Sequence, residues 1–140
     1  MGTAYYCISE VVQFAEKRSD DVDWIIDKGK PICPQICEQL CLRIANGMFA
    51  PHEKILSVRE IAVEAGVNPN TVQRSLEELE RRDILYSVRG YGWFVAEDIT
   101  LAKEVLDGIL VQKTADYFAA MQILGMNTAA VKEYIKEWTV

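Results

Sequence analysis

No run of residues in this 140-residue sequence approaches the ~20 consecutive apolar side chains that cross a bilayer. No basic segment followed by an apolar stretch opens it in the manner of an export signal, so a cytoplasmic protein with no membrane partner is expected. Lipid anchoring is not expected either, because Met1-Gly2 leads to Tyr6 where a myristoylation signal needs Ser or Thr. Histidine occurs once, at His52 in a loop beside Pro51 and Glu53, with no partner order that makes a nucleophile or a general base. A phosphate-cradling glycine loop and a nucleophile elbow are both missing. Neither enzyme activity nor a cofactor is therefore expected.

Metal chemistry is poorly served as well. Cys33, Cys37 and Cys41 recur every four residues, a spacing that matches no zinc motif. On a helix an i, i+4 pair also sits at the edge of disulfide reach with poorly directed β-carbons. These cysteines read as small buried core residues, with a thiol or metal switch as the sharper alternative. An excess of positive charge is missing too: 15 basic residues face 21 acidic ones, for a net charge of -6. Wholesale attraction to nucleic acid is excluded, and DNA binding needs a locally basic face. Between Gln35 and Ala96 the bases Arg43, Lys54, Arg59, Arg74, Arg81, Arg82 and Arg89 nearly balance the acids, and the surplus negative charge lies in the flanks.

What the sequence does contain is a patterned centre from Ser57 to Arg82. Ser57 and Glu60 have the spacing of a capping box, which starts a helix. Val58, Ile61, Ala62 and Ala65 follow on one face, and Gly66 supplies the backbone freedom to end the helix and turn. Asn68 suits the cap of a second helix and Pro69 its first position. Val72, Leu76 and Leu79 form that helix's apolar stripe, while Asn70, Thr71, Gln73, Arg74, Glu77 and Glu78 occupy the other face. Two helices joined by so tight a turn make a helix-turn-helix. Glu77, Glu78 and Glu80 read as a solvated face.

The flanking segments hold or pair this unit. Ala4 to Lys17 predicts an amphipathic helix, and Trp24 to Ile26 is equally compatible with an extended or a helical form. Pro34 to Asn46 predicts a helix with Ile36, Cys37, Leu40, Cys41 and Ile44 on its apolar face and Gly47 as its terminal cap. Met48 to Leu56 reads as a connecting loop. Ile84 to Arg89 alternates, Gly90-Tyr91-Gly92 turns, and Trp93 to Ala96 returns, which predicts a hairpin, or wing. Leu85, Val88, Phe94 or Val95 should pack it on the helices, since a two-stranded ribbon is marginal alone. Beyond Asp98 a long apolar stripe runs from Leu101 to Leu124 until Gly125, and Asn127 or Thr128 caps a last helix carrying Val131, Ile135 and Trp138. Two such helices expose too much apolar surface to stand alone, which predicts burial against a second copy. Folding back onto the winged domain is the alternative.

Three blocks now carry a family resemblance: PICPQI at Pro31 to Ile36, the long run from Ile55 to Leu85, and RGYGWFV at Arg89 to Val95. Together they resemble the GntR family of bacterial transcription regulators, in particular its short YtrA-like branch. The chain departs from the family pattern at His52 and Leu56, where Gly and Pro are usual, and at Asp83, where glycine is usual. It departs also at Tyr91 and Trp93 in the wing. The resemblance implies a mainly α fold with a small β-hairpin: a winged helix-turn-helix domain plus a C-terminal two-helix dimerisation tail. It covers roughly Asp27 to the C-terminus, with residues 31–97 as the DNA-binding domain and residues 98–140 as the tail, while residues 1–30 are expected to form an N-terminal helical extension largely outside it. The implied function is a homodimeric repressor of its own operon or of transporter genes. Its partner is a double-stranded operator with two-fold symmetry, and any small-molecule effector is expected between domains or subunits. Carried over residue by residue, the DNA-contacting set is Arg59, Asn68, Asn70, Thr71, Gln73, Arg74, Arg89 and Gly90. A protein-interaction module that has lost operator binding is the competing reading.

Overall fold

The computed structural model describes residues 23–138, so the helix expected over Ala4 to Lys17 and Cys7 lie outside the described residues. Within residues 23–138 there are five helices and one hairpin: α1 (Ile32–Ala45), α2 (Val58–Ala65), α3 (Pro69–Arg81), β1 (Leu85–Val88), β2 (Gly92–Val95), α4 (Thr100–Ile123) and α5 (Thr128–Glu137). The chain divides into two compact units whose boundary falls between Asp107 and Gly108, inside α4.

The first unit is built on one apolar core. Ile36, Leu40 and Ile44 of α1 meet Ile61 of α2 and Val72, Leu76 and Leu79 of α3, all fully excluded from solvent. Burying each such side chain contributes roughly 1.5–3 kcal/mol. Cys37 and Cys41 are buried in the same cluster, as small apolar residues are. The capping box forms as expected, with the Glu60 amide donating to Ser57 Oγ at 3.1 Å and the Ser57 amide to Glu60 Oε2 at 2.7 Å.

Helix ends follow one rule. Left-handed residues close four of them: Gly47 after α1, Gly66 after α2, Asp83 after α3 and Gly125 after α4. After α3 the Asp83 amide donates to Glu80 O at 3.0 Å and the Ile84 amide to Leu79 O at 2.9 Å, with both apolar residues buried. That is the Schellman arrangement, and the same pair of bonds recurs at Gly47-Met48 and Gly125-Met126. Asp83 is thus the one non-glycine residue in a position that glycine fills at the other three ends. The second non-glycine residue with positive φ is His52, at 63°, and both stand where the family pattern has glycine.

In the wing, β1 and β2 pair antiparallel from Leu85↔Val95 to Val88↔Gly92. Leu85 and Val95 point into the core, whereas Val88, at the open end, stays exposed. The segment expected to be a simple connecting loop adds a third edge. Lys54 bridges to Phe94, the Ile55 amide donates to Trp93 O at 3.0 Å, and the Val95 amide to Glu53 O at 3.0 Å. His52 Nδ1 lies 3.0 Å from the Tyr86 hydroxyl, and Tyr86 stacks on Phe94.

Trp24 to Asp27 is extended and lies along α1, which settles the ambiguity left by its composition. The Gln39 side chain accepts from the Ile25 amide at 3.0 Å and donates to Ile25 O at 2.6 Å. Gln35 does the same for Asp27, at 2.8 and 2.9 Å. Four residues of helix advance ~6 Å and two residues of strand ~6.6 Å, so two glutamines one turn apart match alternate peptide groups of an extended chain. Trp24 covers the Arg43 guanidinium at 3.9 Å and donates from Nε1 to Glu64 Oε2 at 3.1 Å.

In the second unit α4 continues past Gly108 and α5 begins at Asn127, whose Oδ1 accepts from the Ala130 amide at 2.9 Å. Val131 is buried, while Leu110, Val111, Ile123, Leu124, Tyr134 and Ile135 are exposed. No helix among the described residues is long and apolar enough to cross a membrane.

Candidate nucleic-acid interface

The second helix of the motif, α3, is held by its inner face and leaves its outer one open. Val72, Ser75, Leu76 and Leu79 are buried. Asn70, Arg74 and Glu77 therefore fall opposite the core, with Gln73 and Thr71 on the two flanks, by the ~100° advance per residue of a helix. Ser75 is the one polar residue on the buried stripe. Its hydroxyl donates back to Thr71 O at 2.8 Å and lies 3.5 Å from Cys33 O, so no polar atom there goes unsatisfied.

The eight residues expected to meet DNA have different commitments. Asn68 caps α3, its Oδ1 accepting from the Asn70 amide at 2.8 Å. Thr71 is half-buried, and Gln73 donates to Glu77 Oε1 at 2.9 Å. Asn70, Arg59, Arg74 and Arg89 are exposed, and the three arginines have no ion pair among the described residues. Gly90 sits at the tip of the wing with φ 83°, beside Tyr91, which is 70% exposed. A backbone without Cβ at that place can approach a sugar-phosphate chain closely.

Not every local base adds to this face. Arg43 is buried under Trp24, where desolvation lowers its pKa and the nearby Glu64 acts in the opposite direction. Arg81 is paired with Glu78 at 2.9 Å. The carboxylates expected on a solvated face also hold partners at the surface: Glu80 Oε1 accepts from the Ser87 amide at 3.1 Å and the Ser87 hydroxyl at 2.7 Å, fastening β1 to α3. Glu60 is held below the usual carboxylate range by its backbone and hydroxyl bonds to Ser57 in the capping box.

One cation, counted among the central bases from sequence, was not assigned there to the DNA-contacting set. The exposed Lys54 side chain lies across Gly92, where a Cβ would meet Lys54 Cε at 3.1 Å. Gly92 thus makes room for a base beside the wing. Only the bridge to Phe94 reveals this, since Lys54 has no motif of its own. Among the described residues no group of three metal-ligating side chains could hold an ion. A helix offered to solvent by hydrogen-bonding and cationic residues, next to a hairpin with a glycine tip, can enter a major groove while the wing meets the adjoining backbone.

Comparison with known proteins agrees with this geometry. Residues 34–95 match the family described as bacterial regulatory proteins, gntR family. The chain is 36% identical over 110 residues to the HTH-type transcriptional regulator YhcF of Bacillus subtilis, covering 79% of this chain and 91% of that protein. It is 33% identical over 116 residues to the HTH-type transcriptional repressor YtrA of the same organism, covering 76% and 83%. Among solved structures, a GntR family transcriptional regulator from Listeria monocytogenes superposes with a TM-score of 0.67 at 36% identity, covering 80% of this chain and 98% of that one. The winged helix-turn-helix and the length of these relatives together establish that the chain belongs to the GntR family of bacterial transcription regulators, among its short, YtrA-like members.

Proposed function

We propose that this regulator is a homodimeric, sequence-specific repressor, cytoplasmic, acting on its own operon or on transporter genes. Residues 31–97 serve as the DNA-binding domain and residues 98–140 as the dimerisation tail. The observation that carries the reading is the outer face of α3, where Asn70 and Arg74 stand opposite the core, exposed and, among the described residues, without an ion-pair partner for the guanidinium. Asn can pair with an adenine edge and Arg can fork onto guanine. Arg59 and Arg89 supply phosphate contacts that set the register, and Gly90 lets the wing tip approach. Gln73 reads a base only after leaving Glu77. Asn68 and Thr71 contribute from the cap and the flank.

The tail's apolar surface supports the dimer. Tyr117, Met121, Leu124, Tyr134, Ile135 and Trp138 line a cavity of about 500 Å³ within the second unit, and exposed Ile123 and Leu124 adjoin the turn before α5. A two-fold dimer would bury such a face against its own copy. An effector, where one binds, is a small molecule.

A mobility-shift titration against the promoter of the protein's own operon tests the proposal. Binding should be sequence-selective and fall steeply with salt. Arg59→Ala should weaken binding to all duplexes alike, and Arg74→Ala should cost about 1–3 kcal/mol at one base position and relax preference there. A protein that shows no duplex binding at low salt, yet retains a stable protein partner, refutes it in favour of an interaction module.

A further inference from the structure

Three of the chain's thiols stand in a row on α1. Cys33, Cys37 and Cys41 all line one open cavity of about 500 Å³, completed by Glu78 and Arg82 at the end of α3 and by Val105 of α4, all within the first unit. Cys33 is partly buried and the most accessible of the three, Cys37 and Cys41 being buried. Thiols that climb one helix do not converge on a single ion, in keeping with the lack of a three-ligand group among the described residues. Two of them one turn apart can act together, and Cys33 and Cys37 share both the cavity and the Ser75 contact on α3.

The chemistry of this pair is narrow. A disulfide is disfavoured by the direction of i, i+4 β-carbons on a helix. Burial, assisted by the neighbouring Cys33, pushes Cys37 up to about 12, and burial pushes Cys41 up to about 11. The Cys37 and Cys41 thiolates, the forms that attack peroxides and disulfides, are therefore scarce at neutral pH. What suits the pair acting together is a reagent that takes two thiols at once and spans more than a sulfur–sulfur bond.

We infer that Cys33 and Cys37 form a dithiol receptor for a trivalent organoarsenical, with the cavity accommodating its organic group and α3 reporting its occupation. In the binding step an oxoarsine, R–As=O, condenses with both thiols. The two S–H bonds and the As=O bond break, two As–S bonds form, the two protons and the oxygen leave as one water, and arsenic stays trivalent. The link to α3 is direct. Cys37 Sγ donates to Ser75 O at 3.4 Å, and Ser75 Oγ lies 3.5 Å from Cys33 O, so both receptor residues touch the one buried polar residue of α3. Condensation removes the Cys37 donor and inserts a ring between α1 and the end of α3. The reported output rests on the DNA-binding reading above; the receptor itself does not.

The test uses the full reduced chain carrying Cys7→Ser and phenylarsine oxide as the probe. Intact mass should show one phenylarsenic group per chain with loss of one water, reversed by excess ethanedithiol. The adduct should be absent in Cys33→Ser and Cys37→Ser and retained in Cys41→Ser. If Cys37→Ser fails to fold, the more accessible Cys33 position still decides. Operator affinity should fall about tenfold on adduct formation, within the ordinary range for coupled sites, and return with dithiol. The inference is overturned by a folded chain that forms no adduct, by an adduct that survives Cys33→Ser, or by an adduct that leaves operator affinity unchanged. A chain that binds no operator even before treatment counts against the repressor reading, while the mass result still decides the receptor.

Discussion

Replacing Asp83 by glycine should stabilise the protein, although it deletes a side chain. Asp83 holds φ 57° at the end of α3, in the position that Gly47, Gly66 and Gly125 fill at other helix ends. A left-handed conformation costs an L-residue about 1–2 kcal/mol, with Asp at the low end. A carboxylate at a helix C-terminus also opposes the helix dipole by about 0.3–1 kcal/mol. Against these gains, glycine's extra freedom in the unfolded chain costs about 0.5–1 kcal/mol. The balance is a gain of about 1 kcal/mol, or a rise of about 4–8 °C in Tm for a domain of this size. Urea unfolding at low and high salt separates the contributions. Asp83→Asn relieves only the charge, so its smaller gain should vanish at high salt, whereas part of the Asp83→Gly gain should persist. Asp83→Val keeps the left-handed backbone with a β-branched side chain and should lose at least 1 kcal/mol. Operator affinity should not change in any of the three. If Asp83→Gly proves less stable than the parent, or equal to Asp83→Val, the backbone reasoning is wrong.

Other consequences concern the thiols and the N-terminal strap, the segment Trp24 to Asp27 that lies along α1. Cys37 and Cys41 have pKa values raised to about 12 and about 11 from an ordinary 9.0, so the folded state binds more protons than the unfolded one at alkaline pH. Their contribution is complete below pH 9.0 and is lost as pH rises through 11 to 12, and a stability profile should fall in that window and flatten in the double alanine variant. At pH 8, iodoacetamide should label the more accessible Cys33 well before the two buried thiols, by peptide mapping. Gln39→Ala removes both bonds to Ile25 and should cost about 1 kcal/mol in urea unfolding, with Gln35→Ala similar through Asp27. Strap release should also speed cleavage by trypsin at Lys28.

The parts of the fold that local chemistry dictates could be read before any coordinates. Ser57 with Glu60, Asn68 with Pro69, and Gly47, Gly66 and Gly125 declare helix ends because each acts within its own turn. The apolar stripe of α3 was equally plain. Long-range pairings without periodicity were not. The strap is held by side-chain amides of Gln35 and Gln39, which look like ordinary solvated glutamines in sequence, and Trp24 finds Arg43 and Glu64 only through the fold. His52 to Ile55 is too short to show strand alternation, so its pairing with β2 was hidden, and with it the placing of Lys54. Val88 was an expected packing residue and is exposed, because β1 leaves the core as it runs toward the wing tip. Within the candidate interface, residue types on α3 were legible, but the engagement of Gln73 by Glu77 and of Glu80 by Ser87 was not.

The central claim is that the face carrying Asn70 and Arg74 reads an operator as one half of a symmetric pair. Selection of bound duplexes from a random pool by the full-length chain tests it most directly. The account predicts enrichment of an inverted repeat whose half-sites are separated by one helical turn or a small multiple, ~34 Å each, with Arg74→Ala losing a defined position within each half-site. A pool that shows no enriched sequence, or an enriched site without two-fold symmetry that Arg74→Ala reads as well as the parent does, would contradict it.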